Sequence, residues 1–245
     1  ILVPPTRIYR AGQFNEEVMR MFLRNSRFPE MVKGDLKAIM ASCQLGKRRL
    51  EEIAERFGLA ALNAVFEEML EQTAFALRTA LSEKVPDGRY KFSDCLDGDG
   101  KNDQSYAVSL TLEKSGEDIS LDFTESTNQA TGAINFKMDK SVPANMLGML
   151  LTGEDASVQM NAGFERALKS VKLRAGSIVD PVYPAAVGMR SHTMVRVTGS
   201  LLGVLGRASD GQVSAASPVY VLYYLRSHDR LRGIYELCIE GLGVG

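Results

Sequence analysis

Histidine and cysteine are scarce in this 245-residue chain, tryptophan is absent, and neither charge sign is in surplus. Its two histidines, His192 and His228, each lack a second histidine or a cysteine at metal-ligand spacing, so the sequence itself offers no zinc site. Three cysteines, Cys43, Cys95 and Cys238, lie far apart and form no CxxC pair, which makes a reducing cytoplasm the simple expectation. Lys and Arg number 29 against 30 Asp and Glu, with no long run of one sign, and this removes the electrostatic case for nucleic acid as a partner. The longest apolar stretch, around 217–225, is too short to cross a bilayer and is interrupted by Pro218 and ended by Arg226. No membrane contact is expected.

Sequence signatures of catalysis are equally scarce. No GxSxG elbow, Walker loop or GxGxxG fingerprint occurs. The chain opens Ile1-Leu2-Val3-Pro4-Pro5, without a charged segment leading into an apolar core, so it does not read as a signal peptide. With the glycine-rich end at 241–245, this opening suggests the interior of a longer protein. A hydrophobic content of 45% is enough for a substantial core in one large domain or two small ones.

Against these absences stands residues 25–58, NSRFPEMVKGDLKAIMASCQLGKRRLEEIAERFG. Pro29 suits a first helical turn, Glu30 and Asp35 lie towards the positive end of the helix dipole, and Arg48, Arg49 and Arg56 lie towards the negative end. Apolar residues recur at steps of three and four from Met31 through Leu36, Ile39, Cys43, Leu50 and Ile53 to Phe57. One very long amphipathic helix of roughly 40 Å follows, with one face expected to be buried and the other wet. Gly34 and Gly46 each weaken it by about 1 kcal/mol relative to alanine, which points to close helix packing or a kink.

The rest of the chain alternates between helical and strand periods. Asn15 caps a helix ending near Arg24, and residues 59–84 form a third helix with apolar positions Leu62, Val65, Phe66, Met69, Leu70, Phe75, Ala76 and Leu77. After a turn at Pro86-Asp87-Gly88, where glycine would accept a positive φ, a period of two through residues 90–92, 106–112 and 119–123 predicts an antiparallel meander. A helix over 142–151, a strand over 168–173, a helix over 193–205 and strands over 220–225 and 234–239 complete an α+β pattern. We expect a helical layer over 1–85 and a mixed α+β portion over 86–245, together one continuous domain of a larger subunit.

Few residues stand out as candidates for chemistry. The acidic loop containing Asp94, Asp97, Asp99 and Asp103 fails the calcium-loop pattern, because Lys101, Asn102 and Val108 fall where an oxygen ligand, a glycine and a glutamate are needed, so it reads as a solvated hairpin loop. Arg190 and His192 precede an amphipathic helix, where backbone donors and a guanidinium can hold an anion, although Ser191 or Thr193 could equally act as a simple cap. Asn135 and Asn161 lie in glycine-containing irregular stretches, suited either to orienting a ligand amide or to stabilising a turn. His228 falls in a charged, solvated turn, and Cys43 lies on the apolar stripe of the long helix as a small hydrophobe.

The long helix resembles the B-type subunit of the hydantoinase/oxoprolinase family. Further similar stretches follow in order: Ile8-Tyr9-Arg10-Ala11-Gly12, Gly88-Arg89-Tyr90-Lys91-Phe92-Ser93-Asp94, Asp122-Phe123-Thr124, Gly132-Ala133-Ile134-Asn135, Asn161-Ala162-Gly163, Pro184-Ala185-Ala186-Val187-Gly188, and Arg190 with Thr193 and Arg196. The resemblance implies a subunit of an ATP-dependent enzyme that hydrolyses a C–N bond of a phosphate-activated cyclic amide, such as a hydantoin or oxoproline. An A-type, nucleotide-binding subunit would be its partner, and related assemblies carboxylate acetone or acetophenone. The family's histidine- and aspartate-bearing metal motif lies upstream of the matched segment, so ATP and a divalent metal are implied for the complex and no metal ligand or catalytic residue is assigned here. Asn135, Asn161, Arg190 and His192 are the expected substrate-side residues, homo-oligomerisation is expected, and this segment alone is expected to be inactive. The alternatives are a ketone carboxylase subunit and a non-catalytic assembly module.

Overall fold

A computed structural model describes residues 3–209 and 211 in full, and the backbone of 219–229 and 233–243. The chain divides into two compact units, Ile1–Phe66 and Glu67–Gly245.

The first unit opens with a hairpin of β1 (Tyr9–Arg10) and β2 (Gln13–Phe14). Ala11 and Gly12 both take positive φ, at 48° and 80°, as a tight turn matched to strand twist requires. The Asn15 side chain then accepts hydrogen bonds from the Glu17 and Val18 amides at 3.1 and 3.3 Å, capping α1 (Glu16–Arg24) as expected. The long helix, α2, runs from Pro29 to Phe57 with proline in its first turn, and Gly58 ends it at a φ of 84°. Its expected buried face is the clearest departure from the sequence reading. No residue of α2 is buried, and among the described residues nothing within 4 Å would meet a Cβ at Gly34 or Gly46. Periodicity predicts that an apolar stripe exists, but not what covers it.

The unit boundary falls within α3 (Leu59–Lys84). Its buried residues are Thr73, Ala74, Leu77, Ala80 and Leu81, so of the apolar positions named from sequence only Leu77 enters the core. Phe75 is 67% exposed.

The second unit is built on a four-stranded sheet in the order β3 (Gly88–Leu96), β4 (Tyr106–Ser115), β5 (Asp118–Asp122), β6 (Ser170–Lys172). The meander β3-β4-β5 is antiparallel as expected, and β6 joins parallel to β5. Gly88 begins β3 and is absent from the glycines with positive φ, so the preceding turn does not use the freedom assigned to it. Beyond β5 come α4 (Ser141–Thr152), the short α5 (Gly163–Arg166) and α6 (Arg190–Ala208), and a separate hairpin pairs β7 (Val219–Asp229) with β8 (Gly233–Gly243). Residue 228 therefore belongs to a strand, opposite residue 234. Thus the α+β class holds.

Helix α6 lies against β3 at unusually short range because two glycines four residues apart face the strand. A Cβ at Gly203 would fall 2.2 Å from the Phe92 ring, and one at Gly199 would fall 2.1 Å from a carboxylate oxygen of Asp94. Phe92 pairs with Leu110 across the sheet, so α6 covers the side of β4 that carries Leu110. Leu110, Leu112 and Leu121 are fully buried, with Val197, Leu201 and Val204 of α6 in the same core. Ser200 donates to the Val108 carbonyl at 2.9 Å and fixes the register of helix on strand.

Gly203→Ala should cost about 1–3 kcal/mol in denaturant unfolding, because a methyl group there overpacks the Phe92 ring. Adding Phe92→Ala should make the double variant less unstable than the two single losses summed.

Candidate functional site

Three irregular segments are tied together at the start of α6, and two buried polar side chains hold them. Asp99 sits in the acidic loop after β3 but is only 8% exposed, so it is not the solvated loop residue expected from sequence. Its carboxylate accepts from the amides of Gly132, Lys101 and Asn102 at 2.7, 2.9 and 3.0 Å, and from the hydroxyls of Thr131 and Tyr106 at 3.0 and 3.1 Å. Burial pushes its carboxyl up, yet the donors outweigh it and hold the group well below its ordinary value of 3.8. Gly132 must be glycine here, since a Cβ would fall 2.2 Å from the Asp99 carbonyl oxygen.

Asn135 is fully buried. Its side-chain oxygen accepts from the Ala130 amide at 2.7 Å, and its NH2 group donates to the carbonyls of Ala130, Ala186 and Gly132 at 2.9, 3.0 and 3.1 Å. Its amide thus faces main chain, stitching segment 130–135 to the segment preceding α6. Two more bonds complete the junction: the Met189 amide donates to the Ala133 carbonyl at 2.8 Å, and the buried Thr193 hydroxyl donates to the Ile134 carbonyl at 2.5 Å.

The helix so positioned presents positive charge at its N-terminal end. Arg190 is its exposed first residue, and the capping position, Met189, supplies no side-chain acceptor to the helix amides. His192 is half-buried, with Nδ1 3.3 Å from the Met189 carbonyl oxygen. One turn on, and on the same helical face as His192, Arg196 reaches Asp94 of β3, Nη1 to Oδ1 at 3.2 Å. That carboxylate oxygen also accepts from the Cys95 amide at 2.8 Å. The Arg196 Nε is sealed from solvent and has no hydrogen-bond partner among the described residues. At the positive pole of this 19-residue helix, Arg190 and the first-turn amides can stabilise an anion, while Arg196 is committed to Asp94.

Of the four residues singled out from sequence, Asn135, Arg190 and His192 are brought to this junction. Asn161 is held elsewhere: its NH2 group donates to the Thr73 hydroxyl on α3 at 2.8 Å, and its oxygen accepts from the Gly163 amide at 2.7 Å. Thr73 lines a cleft of about 530 Å³ between α3 and residues 151–159, so Asn161 braces the wall of a different concavity. The Asp94–Arg196 pair, separated by 102 positions, and the Asp99 clamp went unread, although His192, Arg196, Gly199 and Gly203 share one face at helical spacing and that signal was available.

The side chains of this junction do not fit a metal. Among the described residues no three His, Cys, Asp or Glu side chains converge to hold an ion. Asp94 and Asp99 are already engaged by Arg196 and by backbone and hydroxyl donors.

Comparison with known proteins places the chain. The family model for hydantoinase B/oxoprolinase matches residues 1–245. The B-type polypeptide of the "Putative D-/L-hydantoinase" of Pseudomonas sp. (strain NS671) is 29% identical over 222 residues, 85% of this chain and 37% of that protein. The beta polypeptide of the caprolactamase of Pseudomonas jessenii is 25% identical over 215 residues, 87% of this chain and 36% of that protein. The chain thus spans little more than a third of these relatives' length. The crystal structure of the ATP-dependent caprolactamase from Pseudomonas jessenii superposes with a TM-score of 0.81 at 24% identity, over 97% of this chain and 41% of that one. The nucleotide-free structure of acetone carboxylase superposes with a TM-score of 0.79 at 16% identity, over 95% of this chain and 33% of that one. Both share the fold.

The folded Asp99 carboxyl titrates below its unfolded value, so its contribution to stability is complete above about pH 4 and is lost as pH falls through the folded value. Asp99→Asn should lower the unfolding midpoint at pH 7 and flatten the loss of stability between about pH 4 and pH 2, measured by circular dichroism.

Proposed function

The chain belongs to the hydantoinase B/oxoprolinase family, and on that premise we propose that it is part of a subunit of an ATP-dependent cyclic-amide hydrolase of the hydantoinase or 5-oxoprolinase type. The observation that carries this reading is the family match along residues 1–245, supported by the likeness to the B-type polypeptide of a hydantoinase and to the beta polypeptide of a caprolactamase. The reaction takes a lactam or hydantoin ring, ATP and two waters to the ring-opened amino acid or N-carbamoyl amino acid, ADP and phosphate. An A-type partner holds ATP and transfers its terminal phosphoryl group to the amide oxygen. Water then adds to the activated carbon, the C–N bond breaks to leave an acyl phosphate with the amine as leaving group, and a second water releases phosphate and the carboxylate. The divalent metal that such chemistry uses to stabilise negative charge belongs, in this proposal, to the rest of the complex.

This chain's contribution is electrostatic. Arg190, with the amides at the start of α6, holds the phosphate or carboxylate of the substrate or intermediate, and His192 lies one turn before Arg196 on the helical face directed at β3. Asn135 is a positioning residue, since its amide is committed to the backbone that sets the start of α6. Asn161 is a positioning residue too, its amide committed to Thr73 and to the Gly163 amide at the wall of the separate α3 cleft.

A second reading, a subunit of an ATP-dependent ketone carboxylase, is favoured by a specific likeness. The acetophenone carboxylase delta subunit of Aromatoleum aromaticum is 32% identical over 135 residues, 54% of this chain and 20% of that protein. The two activities separate in one assay of the complex: cyclic amide with ATP should yield a ring-opened amino acid without bicarbonate, whereas product formation only from a ketone with bicarbonate would establish the carboxylase. In that assay Arg190→Ala should lower kcat/KM about tenfold or more, with Arg190→Lys intermediate because an ammonium keeps the charge but not the fork. Unchanged kinetics would remove Arg190 from the site.

A further inference from the structure

Exposure along α2 is uneven in chemistry but not in extent. Ile39, Leu50, Ile53 and Phe57 are 60%, 46%, 41% and 59% exposed, while Leu36 is half-buried. From Val32 to Phe57 the positions facing one side follow alternating steps of four and three, the 3.5-residue repeat by which two helices share a seam. Midway along this seam stand Cys43, exposed, and Gly46, which has no atom of the described residues within 4 Å of a Cβ position. Small residues at the centre and large apolar ones at both ends let a second helix approach closely there.

The sequence of the seam identifies what that helix is. Laid antiparallel on itself about its midpoint, α2 stacks Leu36 on Ile53 of the second copy, Ile39 on Leu50 and Cys43 on Gly46, each layer occurring twice. The flanking positions then bring Asp35 beside Arg56 of the second copy, again twice, with no like charges opposed. A parallel arrangement opposes Phe57 to Phe57 and gives Asp35 no cationic neighbour. Lys47 and Arg49 are already paired within the helix, with Glu51 at 3.5 Å and Glu52 at 2.7 Å. Asp35 makes no ion pair among the described residues, and Arg56 only stacks on the Phe57 ring at 4.9 Å. From the exposed seam, its small centre and this charge complementarity, we propose that α2 is a homodimerisation helix, pairing antiparallel with α2 of a second copy through Asp35–Arg56 ion pairs across the two-fold axis.

This pairing does not depend on the catalytic reading. Light scattering coupled to size exclusion should give a dimer mass for the chain at micromolar concentration. Arg56→Asp opposes two carboxylates and Asp35→Arg opposes two guanidinium groups, so each single variant should dissociate with a Kd raised about tenfold or more. The double exchange, Asp35→Arg with Arg56→Asp, should restore the dimer. An equimolar mixture of the two single variants should form a heterodimer, since each then presents the charge the other needs. Both positions are exposed, so the helical circular dichroism of every variant should match the wild type. A wild-type monomer, as expected if another polypeptide covers the seam, would overturn the proposal. So would dimers unaffected by either single exchange, or single variants that remain apart when mixed.

Discussion

Burying irregular backbone is costly unless every amide and carbonyl finds a partner, and the second unit meets that constraint with two side chains. Asp99 gathers donors from its own loop and from Thr131 and Gly132, and Asn135 saturates carbonyls on both sides of the junction with the segment before α6. Through them the loop after β3, the stretch around residues 130–135 and residues 186–193 become one body. The start of α6 is fixed by that body, and with it the direction in which Arg190, His192 and Arg196 project.

A second constraint acts further along the same helix. Gly199 and Gly203 allow α6 to lie so near β3 that the Asp94 carboxylate and the Phe92 ring fill the space of absent Cβ atoms. Asp94 therefore meets Arg196 across a helix–strand contact rather than in solvent, and one face of α6 carries both the packing of the core and the polar pair beside it. Packing and electrostatics here are one arrangement: loosening the glycine contact would also move the arginine.

The first unit presents the opposite situation. A helix of 29 residues, roughly 43 Å long, carries a regular apolar seam of which no residue is fully buried among the described residues. In the pairing proposed above, that seam is the contact surface between two copies of the chain.

Much of the architecture was legible from local signals. Asn15 and Pro29 mark helix starts, Gly58 marks an end, and the period of two across 106–112 marks β4, because caps, prolines and alternation act within a few residues. Motifs spread along the chain also sufficed to indicate the family. What the sequence by itself determined is therefore the order of elements, their types and their kinship. Tertiary structure alone decided that Asp99 is buried, that Asn135 faces backbone while Asn161 braces α3, that Asp94 finds Arg196, and that the stripe of α2 is bare. The physical reason is distance along the chain. Burial and pairing depend on which remote segments meet, and a periodic pattern records that a face is apolar without recording what lies against it.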